Sequence, residues 1–154
     1  MDDEERRLKM FLYAHCEANV KGRIAAAETA IRLAQEGAES DTKSSAGDKY
    51  ETGREMMQQE ITRHQQQLLE AGKMRHSLSQ IMAETASDVI VPGAVTETSQ
   101  GNFYLSVSAG QAFFTGKNYQ PVSIISPIGK MLSGRKAGEE FDFNGKTYRI
   151  LRVF

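Results

Sequence analysis

The sequence predicts an α+β protein: a coiled-coil helical hairpin over residues 1–87, followed by a small sheet-plus-helix domain over 88–154. Three observations predict it. The first segment has no proline and is crowded with glutamine, glutamate and alanine, all good helix formers. It also carries two runs of residues spaced alternately by three and four, the spacing of a coiled-coil seam. The second segment holds all three prolines and nine of the twelve aromatic residues, with glycine, valine and phenylalanine marking it as strand-rich. The change of composition falls at 88–92.

The first seam is Val20, Ile24, Ala27, Ile31, Ala34 and Ala38, and the second is Met57, Ile61, His64, Leu68, Ala71, Arg75, Leu78 and Met82. If the chain folds back antiparallel, facing residues have position numbers with a constant total. Val20 with Leu68, Ile24 with His64, Ala27 with Ile61, and Ile31 with Met57 all total 88. This register puts Met10 near Leu78 and centres the turn on Ser44. Arms of roughly 30 residues, at about 1.5 Å per residue, are expected to reach on the order of 45 Å.

Between the seams lies SDTKSSAGDKYETG, with the tip expected at 40–48. Gly47 interrupts the pattern. Asp48 is placed to cap the second helix, and Glu51 three residues on completes a capping-box arrangement. Asp41 follows the last seam residue, at the negative end of the first helix dipole, where a lysine would be expected. Residues 36–51 carry five acids against the two lysines Lys43 and Lys49. A tip of that charge suits a cation or a basic cleft.

Strands are expected at 89–91, 94–98, 102–107, 119–124, 139–143 and 146–153. In FDFNGKTYRI, Asn144 and Gly145 supply the positive dihedrals of a type I′ turn, which pairs Phe141 with Tyr148. SPIGKMLSG reads as one short helix, with Ser126 as N-cap, Pro127 at the first helical position and Gly134 beyond the end.

The formal net charge of −1 gives no global drive toward nucleic acid or an anionic membrane. Cys16 is the only cysteine, so there is no internal disulfide and no thiol set for structural zinc. The charged start MDDEERRLKMF and the lack of an apolar run near ~18 residues point away from secretion and membrane insertion and toward the cytoplasm. His15, Cys16, His64 and His76 lack a fixed ligand spacing. Arg32, Arg54, Arg63 and Lys73 flank the seams, where charged residues usually form solvated pairs. Ser126 and Ser133 have no paired base.

The segment from Ser126 to Arg135, SPIGKMLSGR, followed by Gly138-Glu139-Glu140 and the closing TYRILRV, resembles the C-terminal signature of the GreA/GreB transcript-cleavage factors of bacterial RNA polymerase. Tyr50-Glu51-Thr52-Gly53-Arg54-Glu55 is similar to that family's segment just after the hairpin tip. The resemblance implies an FKBP-like C-terminal domain and a coiled-coil rod that enters the polymerase secondary channel. It implies a protein that is no enzyme by itself, with RNA polymerase and nascent RNA as partners, no membrane or small-molecule substrate, and no cofactor of its own. Two tip acids would help hold a Mg2+ shared with the polymerase, which activates water against backtracked RNA. Aligned without gaps on Tyr50, the family's two acid positions fall on Lys43 and Ala46. With a small insertion they fall on Asp41 and Asp48, spaced by seven instead of three, with Glu51 assisting or capping. Docking falls to Ser126, Pro127, Ile128, Gly129, Lys130 and Gly134, and RNA contact to Lys49, Arg54 and Arg63. Related factors of the same shape occupy the channel and regulate the polymerase without promoting cleavage. A reading from another class is an FKBP-like peptide-binding chaperone or proline isomerase, whose pocket Phe103, Tyr104, Phe113, Phe114 and Phe141 would line. Exposure of the Phe113-Phe114 pair would indicate a partner surface.

Overall fold

The computed structural model describes the backbone of residues 1–44 and 48–154; the side chains of Ala38, Ser40 and residues 41–50 also lie outside the described set. Two long helices, α1 (Asp3–Ser44) and α2 (Asp48–Ser79), precede a sheet built from β1 (Val95–Thr98), β2 (Gly101–Ser106), β3 (Ala112–Phe114), β4 (Lys117–Ser123), β5 (Glu140–Phe143) and β6 (Lys146–Val153). A short helix, α3 (Pro127–Leu132), joins β4 to β5. The protein is α+β with a six-stranded mixed sheet. The chain forms two compact units, Val20–Arg75 on one hand and Met1–Asn19 with His76–Phe154 on the other.

α1 begins with a reciprocal capping box. The Asp2 carboxylate accepts from the Glu5 amide at 2.8 Å, and the Glu5 carboxylate accepts from the Asp2 amide at 2.9 Å. Three acids follow in its first turn, complementing the positive end of the helix dipole.

In the Val20–Arg75 unit the helices pair antiparallel through their seams, with Val20, Ala27, Ala34, Ile61 and Ala71 buried. The register differs from the expected one. Arg23 Nη1 lies 3.7 Å from Met74 Sδ, and a Cβ added at Gly37 would lie 2.5 Å from Met57 Cε. Those position numbers total 97 and 94, where 88 was expected. The reason is the degeneracy of a heptad pattern: sliding one helix by seven residues again sets seam on seam, so periodicity alone does not distinguish a total of 88 from one of 95.

In the other unit the strands run in the order β3-β4-β2-β1-β6-β5, antiparallel except for β2 beside β4. One face carries Leu105, Val122 and Ile150, which pack with Ile90, Leu132 of α3 and Phe141. The opposite face receives residues 3–19 of α1. Leu8, Leu12 and Cys16 are buried, and Cys16 Sγ meets Ser106 Oγ at 3.5 Å. Each buried leucine is worth roughly 1.5–3 kcal/mol. Met10, expected against Leu78, is half exposed, while Leu78 is buried.

The β5–β6 hairpin follows expectation. Asn144 and Gly145 have φ of 51° and 76°, and the Phe141 and Tyr148 rings stack at 5.1 Å. Two strand expectations fail. Residues 89–91 supply only a bridge from Val89 to Lys136, and β3 was not anticipated. β3 joins β4 through Thr115 and Gly116, with φ of 44° and 80°. The backbone signs are those of the Asn-Gly turn, but β-branched threonine is disfavoured there, so the sequence carries no turn signal.

Candidate functional site

The segment after β4 is fixed by one serine. Ser126 Oγ accepts from the Gly129 amide at 3.1 Å, capping α3, and donates to the Ser123 carbonyl at 2.6 Å. Pro127 occupies the first turn, where its missing N–H costs nothing. Gly129 is buried against the end of β4, and a Cβ there would overlap the Ser123 carbonyl oxygen. At the far end, Gly134 donates to the Ile90 carbonyl at 2.8 Å and Ile90 donates to the Arg135 carbonyl at 2.9 Å. The Arg135 guanidinium lies 4.9 Å from the centre of the Phe141 ring.

Of the residues assigned to docking, Ser126, Gly129 and Gly134 therefore hold the backbone. Pro127 and Lys130 are exposed and Ile128 is half-buried against the core. What this clamp presents was missed in the sequence: Ile124 is 42% and Ile125 77% exposed. Their amides and flanking carbonyls sit in a tight turn, with Ile125 N–H on Ser123 Oγ at 3.2 Å and Ser126 N–H on Ser123 O at 3.1 Å. The legible signal was a pair of large apolar residues placed between a strand and an N-cap. Such residues belong to neither element's buried face.

Asp41 falls in the last turn of α1, and Asp48 and Lys49 open α2. Their side chains lie outside the described residues, as does the Ser45-Ala46-Gly47 segment. Glu51 is exposed on α2, as are Arg54 and Arg63. Arg63 pairs with Glu60 at 3.7 Å, Arg32 with Glu36 at 3.2 Å and Lys73 with Glu70 at 3.3 Å. These are exposed intrahelical pairs of small energetic weight.

His15, Cys16 and His64 have separate partners. His15 Nε2 meets the Gly110 carbonyl at 2.6 Å, and His64 Nδ1 meets Gln67 Oε1 at 2.8 Å. Burial pushes the Cys16 thiol up, against the opposing effect of its Ser106 hydrogen bond, so thiolate chemistry is suppressed. Among the described residues, no group of three or more histidine, cysteine or acidic side chains could hold a metal. No helix among them is long and apolar enough to cross a membrane.

The aromatic residues considered for a peptide pocket do not share one. Phe141 is buried in the core and stacked on Tyr148, Phe103 packs against the same core, and Tyr104 is buried on the opposite face of the sheet. Phe114 leans on Phe11 at 5.2 Å, while Phe113 is 68% exposed. The helical pair has a groove of about 520 Å³ where alanines 26, 27 and 30 face Gln67, Ala71 and Met74, a consequence of small seam residues. A smaller cavity of about 120 Å³ lies against the first turns of α1, lined by β1, β4 and β6 residues among others. Comparison with known proteins finds no family model that matches the chain and no matching curated protein.

Proposed function

We propose that the protein is a transcription elongation factor that binds RNA polymerase through its secondary channel, with the turn and helix around Ser126 as its docking surface. The single observation that carries the reading is the clamp made by Ser126 and Gly129. It turns the SPIGKML segment into a rigid mount that displays Ile124, Ile125, Pro127 and Lys130. Supporting it are the antiparallel pair in Val20–Arg75, the acid-rich sequence of residues 36–51, and the likeness of SPIGKMLSGR and GEE to the Gre signature. An FKBP-like assignment of the sheet and α3 belongs to the same reading.

In this reading α1 and α2 carry Asp41 and Asp48 toward the polymerase active centre. Their donor chemistry fits Mg2+, which prefers hard carboxylate oxygens and usually completes its shell with water and phosphate. The shared ion, when bound there, supplies an activated water for cleavage of backtracked RNA. Glu51 adds negative charge at the start of α2, and Lys49, Arg54 and Arg63 contact RNA. In this reading the polymerase's own groups complete the catalytic site.

The experiment is a stalled, backtracked elongation complex of the cognate polymerase, with RNA length and factor binding followed together. RNA shortening that is lost in Asp41→Ala or Asp48→Ala supports cleavage stimulation. Binding without shortening assigns a channel-bound regulator. Absence of binding overturns the reading. Acceleration of prolyl isomerisation in a test peptide would then favour a peptide-binding role, for which exposed Phe113 is the favouring observation.

A further inference from the structure

The six-stranded sheet is open, and its two edges are built differently. One edge is β5, which carries Glu140 and Asp142, both exposed. Charged side chains on an edge strand oppose the approach of another strand. The other edge is β3, and no charged residue occurs in the whole stretch between Glu97 and Lys117. At the centre of β3, Phe113 is 68% exposed.

Pairing with β4 leaves the backbone of that one residue unused. Thr115 and Gly116 form a two-residue loop closed by Phe114 and Lys117. In such a hairpin the closing residues exchange both of their hydrogen bonds, and bonded and non-bonded pairs then alternate along the ladder. Phe114 with Lys117 and Ala112 with Tyr119 are therefore the bonded pairs, and Phe113 opposite Asn118 is not. Asn118 agrees with this assignment, because its carbonyl accepts from Asn102 Nδ2 at 3.3 Å, on the β2 side. The N–H and C=O of Phe113 both point away from β4 to the outside of the sheet, and neither meets a partner among the described residues.

A donor and an acceptor on one residue, facing the same way, match the same residue of an antiparallel strand. A second copy of the chain, related by a twofold axis beside Phe113, returns both bonds at once. This register sets the two Phe113 rings side by side on one face, a favourable cross-strand pair, and puts Ala112 of each copy opposite Phe114 of the other. Charge selects the same edge: β5 would bring acids against acids, whereas β3 brings no charge at all. We propose that the β3 edge is a self-association surface, through which two copies of this chain pair antiparallel about Phe113 into one continuous sheet. Strands of three residues place the contact below about 1,200 Å², so the dimer is a weak one that fills at high protein concentration. The docking turn follows Ser123 at the far end of β4, whereas β3 pairs with Lys117–Tyr119, so the two surfaces are separate.

The test is sedimentation equilibrium of the full chain over a wide concentration range, with amide hydrogen exchange. A reversible monomer–dimer equilibrium is expected. Exchange at the Phe113 amide should slow as concentration rises, while the Ala112 and Phe114 amides, held by β4, stay slow throughout. Phe113→Lys and Phe113→Asp should each weaken dimerisation about tenfold or more, because like charges then meet at the axis. Their unfolding midpoints should match the parent's, since the ring is exposed. An equimolar mixture of the two variants should associate about tenfold more tightly than either alone, which only pairing of residue 113 with itself produces. Ile125→Asp, on the docking turn, should leave dimerisation unchanged, so a failure of this proposal and a failure of polymerase docking are told apart. A monomer at every concentration, a mixture no better associated than its components, or a dimer dissolved by Ile125→Asp would overturn the proposal. A monomer whose Phe113 amide is protected only on adding an alternating threonine–valine pentapeptide would overturn it in favour of a strand from another polypeptide.

Discussion

Lys9 Nζ donates to the Thr85 carbonyl at 2.6 Å, with the side chain wholly removed from solvent and the Phe154 ring centre 6.0 Å away. An ammonium held by one carbonyl and a ring is poorly compensated for lost hydration, and burial lowers its pKa to about 8.

That burial makes stability depend on alkaline pH. An unfolded lysine titrates near about 10.4. Between about 8 and 10 the unfolded chain therefore binds more protons at this position than the folded chain, and raising the pH favours folding. Below about 8 both states are protonated and the penalty is constant. Urea unfolding of the parent and of Lys9→Met should show the stability difference between them changing by on the order of 1–3 kcal/mol across this window, the parent gaining. Above about 10 the stability of both proteins should fall with rising pH while their difference levels off. Burial raises the Tyr104 phenol, so the unfolded chain loses that proton first. A difference that stays flat from pH 8 to 10 would refute the account.

Gly129 tolerates no side chain where it meets the Ser123 carbonyl oxygen. Gly129→Ala should cost about 1–3 kcal/mol, as overpacking does, read from the denaturation midpoint. Ser126→Ala, which removes the cap of α3, should cost about 0.5–2 kcal/mol. If Ser126→Ala were neutral, the clamp would not hold the turn.

The register of the helical pair is open to cross-linking. Ala27 and Ala71 are both buried and line one groove. Ala27→Cys with Ala71→Cys should cross-link readily, whereas Ala27→Cys with Ile61→Cys, facing each other only in the register totalling 88, should not. The opposite pattern would restore the shorter register.

Ile125 is the most exposed large apolar side chain of the docking turn. Its substitution removes no buried contact, so Ile125→Asp should leave the unfolding midpoint within about 0.5 kcal/mol of the parent. If the turn docks on polymerase, the same change should weaken binding about tenfold or more, as loss of an interface anchor does. Unchanged affinity in a binding assay would move the docking surface elsewhere.

Much of the local structure was written in short-range residue choices. Asn144 and Gly145 announced their hairpin because few residues accept positive φ, and Ser126 with Pro127 announced α3 because a cap and a preset φ act within one turn. Thr115 hid the β3–β4 turn because its own preference opposes the conformation that pairing with β4 imposes. The two seams were legible, but their register was not, since a pattern that repeats every seven residues is indifferent to a slip of seven.

What the sequence by itself determined is the class: two long helices, then strands around one short helix, each fixed by periodicity, caps and turn residues. Only the tertiary structure decided that residues 3–19 of α1 cover one face of the sheet, that Lys9 is buried, and that Tyr119 and Glu4 border one cavity. These contacts join residues far apart in the chain, 76 positions for Lys9 with Thr85 and 90 for Cys16 with Ser106. No local preference records such a meeting, because its energy comes from surface that exists only once the sheet has formed.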